Sequence, residues 1–377
     1  MHRIVQEDIA AIADGIREEA SRLSGRTVLI SGGAGFLGKY FLGVFDYLNR
    51  NELAAPCRVI SVDNYITGTK DADFIRRDSE QVLDVWGDVT YPLPVRENID
   101  YIIHAAGLAS PVFYMKYPLE TIESAVTGVK NLLELGRRNP LQGFLFFSSS
   151  EIYGDPDPRA VPTPETYHGN VSSVGPRACY DESKRLAETI CTIYQQQYGV
   201  PAAIVRPFNV FGPGMRHDDR RVVPMFAHQV LCGQTLPVHG DGHQTRTFCY
   251  ITDAIIGFLK VLLRGRPGEA YNIGNEDNEI SMRELAQEFV DYGRVLGGQA
   301  APAARYELIP YPANYPAGEP QRRCPDQTKA RNELGFLPRV HFKEGLARFM
   351  SWAAAQEAYT VMPADGAKVT AEPEQVK

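Results

Sequence analysis

The chain has 377 residues, 44% hydrophobic and 23% charged, the ordinary balance of a soluble globular protein with room for a sizeable core. Its formal net charge of -7 argues against a general nucleic-acid surface and leaves room for a local basic pocket. No run approaches the roughly 20 apolar residues that span a bilayer, and Met1 to Ser24 is too rich in acids and bases for a signal peptide. A cytoplasmic protein without membrane or nucleic-acid partners is expected.

Ile4, Ile9, Ile12, Ile16 and Leu23, spaced among charges, predict an amphipathic helix over 1–24, ended by Gly25, that packs on the main body or on a partner. Thr27 to Ser31 reads as a buried strand, followed by glycines and a helix from Gly38 to Asn49. Arg58 to Val62 predicts a second strand ending at Asp63, and a third leads to Gly87 and Asp88. Tyr101 to His104 and Phe144 to Phe147 predict strands on either side of a helix at 118–137. A helix at 180–198 then precedes a strand at Ala202 to Val205. This alternation predicts an α/β fold, a doubly wound parallel sheet of the Rossmann type over 25–206, with a returning segment near 245–265. After Pro207 glycine and proline become frequent, so a smaller substrate-binding α/β domain is expected over 207–355, on the sheet's carboxyl edge where such folds bind ligands. The polar stretch 356–377 reads as a disordered tail. Six scattered cysteines without a C-x-x-C pair give neither a disulfide framework nor a metal site, and read as free thiols.

Gly32, Gly35 and Gly38 follow the first strand and open a helix. The glycines allow a tight turn and close backbone approach to a pyrophosphate, and the helix N-terminus adds N–H donors and partial positive charge. Asp63 ends the second strand, where a carboxylate accepts both ribose hydroxyls of an adenosine and repels a 2′-phosphate. No arginine follows at once, although Lys70 is near, so NAD is favoured over NADP. Asp88 and Val89, expected at the end of the third strand, are candidates for the adenine side.

Tyr180 and Lys184 form a Y-x-x-x-K pair on one face of a predicted helix. Tyrosine is a poor base at neutral pH, and a nearby ammonium together with a positively charged nicotinamide lowers its pKa. Ser148, Ser149, Ser150 and Glu151 follow the fifth strand, and Ser149 can hydrogen-bond a substrate hydroxyl whose proton Tyr180 removes.

These segments resemble the extended short-chain dehydrogenase/reductases, the NAD-dependent epimerase/dehydratase family, and within it most closely the UDP-glucuronate decarboxylases. The resemblance covers about 26–350. It is carried by Ser149 to Pro156, Val174 to Arg185, Phe208 to Pro213, Arg221 to Val223, Gly242 to Phe248 and Arg322 to Asp326. It implies an NAD-dependent enzyme that oxidises the sugar at C4, loses carbon dioxide from the resulting β-keto acid and reduces C4 again. It implies Tyr180 as base, Lys184 as its activator and Ser149 as hydroxyl partner, with Ser150, Glu151 and Arg323 serving the carboxylate and reprotonation at C5. Cofactor contacts would extend to Phe36, Leu37, Asn64 and Ala105, with Tyr180 and Lys184 beside the nicotinamide. Ser110, Asn209, Arg221, His239 and Arg246 would bind the nucleotide sugar, joined by Arg323. A homodimer through the helices 118–137 and 180–198 is implied as well.

The chain departs from that family at Ser149 (usually Thr), Ala125 (usually Asn), His239 (usually Tyr) and Cys324 (usually Lys), which leaves the exact sugar and nucleotide open. A 4,6-dehydratase uses an acid at Glu151 but needs no Arg323. A 4-epimerase usually lacks that acid. A catalytically silent NAD-binding regulator typically loses Tyr180 or Lys184, and both are present.

Overall fold

The computed structural model describes residues 1–69, 80–297, 305–311 and 320–361. Six strands, β1 (Thr27–Ser31), β2 (Arg58–Asp63), β3 (Val82–Trp86), β4 (Tyr101–His104), β5 (Gly143–Phe147) and β6 (Ala202–Pro207), form a parallel sheet. Shorter strands follow: β7 (Val210–Phe211), β8 (Leu236–His239), β9 (Thr245–Thr247), β10 (Cys249–Tyr250), β11 (Ala270–Ile273), β12 (Glu279–Ser281), β13 (Tyr306–Ile309) and β14 (Arg322–Arg323). The main sheet runs β11-β6-β5-β4-β1-β2-β3 and all its neighbours pair in parallel. Strands buried on both faces explain the unbroken apolar runs of β1, β4 and β5. The chain order reverses between β1 and β4, and such a switch point opens a crevice at the strands' carboxyl ends.

The helices are α1 (Arg3–Gly15), α2 (Arg17–Ala20), α3 (Phe36–Asn51), α4 (Pro111–Lys116), α5 (Pro118–Arg137), α6 (Ala178–Tyr198), α7 (Val222–Leu231), α8 (Ile251–Arg264), α9 (Met282–Gly297), α10 (Thr328–Leu334), α11 (Phe342–Ala354) and α12 (Glu357–Thr360). α5 and α6 pack together on one face of the sheet, while α8 lies under β5 and β6. The remaining strands form three small sheets, β7 with β10, β8 with β13, and β12-β9-β14. Among the described residues no helix is long and apolar enough to cross a membrane.

Several expectations need correction. The N-terminal helix stops at Gly15, not at Gly25, and gives way to α2 and a 3-10 turn. A side chain at Gly15 would press within 2.4 Å of Ile256, so this glycine lets α1 lie against α8 at the cost of helix continuity. Ile4, Val5, Ile9, Ile12 and Ile16 are buried there, and Asp8 accepts bonds from Tyr250 and Arg348, both at 2.8 Å. β3 ends at Trp86, so Asp88 and Val89 lie on the loop beyond it. α8 packs on β5 and β6 within the range expected for a returning segment, and β11 follows it to pair with β6. Finally, the tail is folded through residue 361: α12 buries Tyr359. Lys70 and residues 362–377 lie outside the described residues.

Candidate active site

The crevice beside β1, β2 and β4 holds a cavity of about 350 Å³ lined by Gly32, Gly35, Asp63, Asn64, Asp88, Val89 and Ala105. Gly32 has φ +82°, and a Cβ there would sit 2.7 Å from the Ala106 amide nitrogen. Gly35 caps α3 without a side-chain acceptor, which leaves first-turn N–H groups available to an anion. Asp63 accepts from the amides of Ala34 (2.9 Å) and Tyr65 (2.8 Å), so its carboxylate is fixed at the tip of β2. Tyr65 has φ 59°, a strained value for a non-glycine residue. Asn64 donates to Asp88 at 3.1 Å, joining two of the expected cofactor residues. The side chains of Phe36 and Leu37 are half-buried and pack against the core, while their amides are among the first-turn N–H groups of α3. Thr67, Gly68, Gly107, Leu119, Glu123 and Ser124 line the cavity and were not foreseen. The last three share a face of α5, a signal that helical spacing offered. The cradle fits a dinucleotide: backbone donors for the phosphates, a fixed carboxylate for the ribose, and apolar walls.

Below the cavity, β5 delivers Ser148, Ser149 and Ser150, all buried. Ser149 caps the next 3-10 turn, accepting from the Glu151 amide at 3.2 Å. The first turns of α6 bring Tyr180 and Lys184 to the same point. Tyr180 is buried, stacked on Tyr114 with ring centroids 5.4 Å apart, and Ser149 faces it closely enough to favour its phenolate. Lys184 donates to the Phe147 carbonyl at 2.7 Å, and its ring-centroid distance to Tyr180 is 5.8 Å. Burial pushes the Lys184 ammonium down to about 8. Beneath it, buried His104 shares a 2.8 Å bond with Ser31 and is pushed down to about 3, by burial first and then by the Lys184 charge. His104 is therefore a neutral wall at physiological pH.

In the protein alone the Tyr180 hydroxyl is pushed above the ordinary tyrosine range. Burial raises it, and Ser149 and the charges of Arg221 and Arg177 only partly offset that. Lys184 spends its shortest bond on a main-chain carbonyl.

The third part of the site is charged. Arg323, on β14, pairs with Glu151 in a two-pronged contact, its second nitrogen at 2.9 Å. These residues stand 172 positions apart in the chain. Arg177, which opens α6, pairs with the same carboxylate and lies 3.6 Å from Asp181. Arg177 was not foreseen as a site residue, although its i,i+4 spacing to Asp181 on the tyrosine helix was visible. Asp181 is buried and its carboxyl is raised, chiefly by burial, with Arg177 and Arg323 pulling the other way.

Arg323 is the register partner of Arg246 across β14 and β9. Arg246 is buried and donates to the Thr245 carbonyl at 2.8 Å. Asn209 has φ 36°, a strained backbone at a residue expected to bind substrate, and its amide holds the Thr247 carbonyl at 2.8 Å. Arg221 caps α7 and is paired with Asp219, against which Ser110 lies. Its charge acts on Tyr180. His239 faces Tyr311, with ring centroids 5.5 Å apart, which ties it to β8 and β13 and not to the redox residues. Ala125 is buried next to the cavity-lining Ser124, and Cys324 is a buried thiol pushed up to about 12.

A glycine cradle at a switch point, a fixed acid at the tip of β2 and a Ser–Tyr–Lys set together define a dinucleotide-dependent enzyme that moves protons and hydride at a carbinol carbon. The chain belongs to the NAD dependent epimerase/dehydratase family, whose model matches residues 28–274, and its cofactor is NAD. It is 40% identical over 325 residues to UDP-glucuronic acid decarboxylase 5 of Arabidopsis thaliana, covering 86% of this chain and 88% of that protein. UDP-glucuronic acid decarboxylase 1 of Danio rerio is 36% identical over 329 residues, covering 87% and 72%. Among solved structures, an epimerase of Methanothermobacter thermautotrophicus has a TM-score of 0.77 at 26% identity, covering 90% and 95%. A dTDP-glucose 4,6-dehydratase of Streptomyces venezuelae, solved with NAD bound, has a TM-score of 0.72 at 26% identity, covering 87% and 96%.

Proposed function

We propose that this protein decarboxylates UDP-glucuronate through a 4-keto intermediate and releases UDP-xylose. The observation that carries the reading is the Arg323–Glu151 pair beside Ser149 and Tyr180. A pure redox cycle at C4 needs no such charge. The names of the relatives support the same substrate.

NAD, held by the Gly32–Gly35 turn and Asp63, would supply the hydride acceptor and donor for C4 when bound. The chain's residues do the rest. Tyr180, facing Ser149, accepts the proton of the C4 hydroxyl, and Lys184 steadies the phenolate that forms. The C4 carbonyl is β to the carboxylate, so the C5–carboxyl bond breaks with its electrons flowing toward C4. Arg323 and Arg177 favour the anion that enters and the negative charge that develops. The carbon dioxide lost is replaced by a proton at C5, held and delivered at the Glu151 end. Arg221 and Arg246 bind the diphosphate with planar donor forks, with Asn209, Ser110 and His239 completing the substrate side.

The dehydratase reading has Glu151 as a base toward C5. That reaction calls for no guanidinium there, whereas Arg177 and Arg323 both pair with this carboxylate. We further propose a homodimer through α5 and α6. Their outer faces expose Ile122, Leu186 and Ile193, apolar side chains that a second copy would cover. The six cysteines remain thiols, which supports a reducing, cytoplasmic location.

The test is incubation with UDP-glucuronate and, separately, UDP-glucose. The reading expects UDP-pentose and carbon dioxide from the first and no 4-keto-6-deoxy sugar from the second. UDP-galacturonate formed without gas would move the epimerase reading to first place.

A further inference from the structure

Tyr359 stands in a stretch whose composition promised disorder, yet it is 2% exposed. Its ring meets Trp352 and Phe349 of α11 edge-on, and His217 on the other side. Its carbonyl accepts from the His228 ring of α7 at 3.2 Å. A buried phenol requires a hydrogen-bond partner. Here the hydroxyl donates to the Met215 carbonyl at 2.9 Å, away from solvent.

Met215 opens the loop 215–221, which leads into α7. Within it Arg216 pairs with Asp218 at 2.6 Å and reaches the Thr67 carbonyl, on the rim of the cofactor cavity, at 3.3 Å. Asp219 holds Arg221. The Arg221 charge acts on Tyr359 from one side and on Tyr180 from the other. One short loop thus touches α12 at its start, the cofactor rim in its middle and the substrate side at its end.

We propose that Tyr359 is a positioning residue for substrate binding. It fixes the loop 215–221 in the shape that presents Arg221 to the diphosphate of a nucleotide sugar while Arg216 holds the cofactor rim. This rests on Arg221 being a diphosphate ligand, as argued above. A loop of polar residues pays an ordering cost when it closes on a ligand, and a buried anchor pays that cost in advance. Tyr359 touches no reacting atom, so its effect falls on binding and not on chemistry.

The test uses the full chain with Tyr359→Phe, which keeps the ring and removes only the hydroxyl, and Tyr359→Ala. The readouts are UDP affinity by calorimetry, KM and kcat with UDP-glucuronate, and amide exchange at 214–221. Tyr359→Phe is expected to raise the UDP Kd and the KM about twofold to tenfold, the weight of one net hydrogen bond. kcat and the melting temperature should hardly change, and exchange in the loop should speed up. Tyr359→Ala should do more of the same. Unchanged UDP affinity and loop exchange in Tyr359→Phe would overturn the proposal. So would a fall in kcat as large as the rise in KM, which marks a general structural role. If loop exchange rises in both variants but the wild type itself binds no UDP, the anchor stands and the diphosphate reading of Arg221 fails.

Discussion

The two halves of the site are built in opposite ways. The redox half (Ser149, Tyr180, Lys184 and the wall at His104) is buried and carries no ion pair among those residues, and its groups are perturbed mainly by burial. The charged half sets two arginines against two carboxylates, Glu151 and Asp181, at the same end of α6. The first half suits a neutral carbinol whose proton must leave. The second suits a sugar that brings its own negative charge. Side by side, they separate what any member of this family does from what this chain adds.

The comparison breaks most sharply at Tyr180. Tyr180→Phe removes the proton acceptor and keeps the ring against Tyr114, so kcat should fall about a thousandfold, within the range of general acid–base catalysis. NAD affinity by calorimetry should stay near wild type. Near-normal turnover would take the redox half out of the account.

Arg323→Ala tests the other half. It strands Glu151 with Arg177 and removes a donor to the developing charge, so carbon dioxide release should slow about a hundredfold, as for loss of one preorganised donor. Rapid-quench analysis should show C4 oxidation much less affected. Glu151→Gln should let a 4-keto intermediate accumulate with reduced cofactor, visible as absorbance of NADH. Equal slowing of oxidation and gas release in Arg323→Ala would merge the halves into one.

The smallest effect concerns stability and separates the halves by pH. Burial lowers the Lys184 ammonium from 10.5 to about 8, so the native state binds its proton less tightly than the unfolded chain does. Below about pH 8 both states are protonated and the cost of burial is fully present. Between about pH 8 and 10.5 only the unfolded state keeps the proton, so this group makes stability rise with pH. Lys184→Met should abolish turnover and also remove that rise. At pH 7 it should stabilise the fold by about 2 kcal/mol, the burial cost less roughly 1 kcal/mol for the orphaned Phe147 carbonyl. Urea melts at neutral and alkaline pH read this directly. A less stable variant with the pH slope intact would contradict the burial account of Lys184.

The redox half was legible in the sequence because its signals are local. A strand, a glycine turn and a helix follow one another within β1 and α3, and Tyr180 and Lys184 share one helical face. The charged half was legible only in part. Arg323 came from resemblance, since no periodicity links it to a residue 172 positions away. Arg177 lay within a recognised segment but showed its role only when Glu151 was placed opposite. β7, β10 and β14 have two residues each, too short for alternation to appear. α12 was read as a tail because one buried aromatic in a polar stretch leaves composition unchanged, and Tyr359 packs through contacts that run far along the chain.

The most direct measurement of the central claim is mass spectrometry of the sugar product formed from UDP-glucuronate in deuterium oxide. The account predicts a UDP-pentose carrying one deuterium, at C5, with one carbon dioxide released per sugar. A product that retains its carboxylate, or a pentose without deuterium at C5, would contradict it.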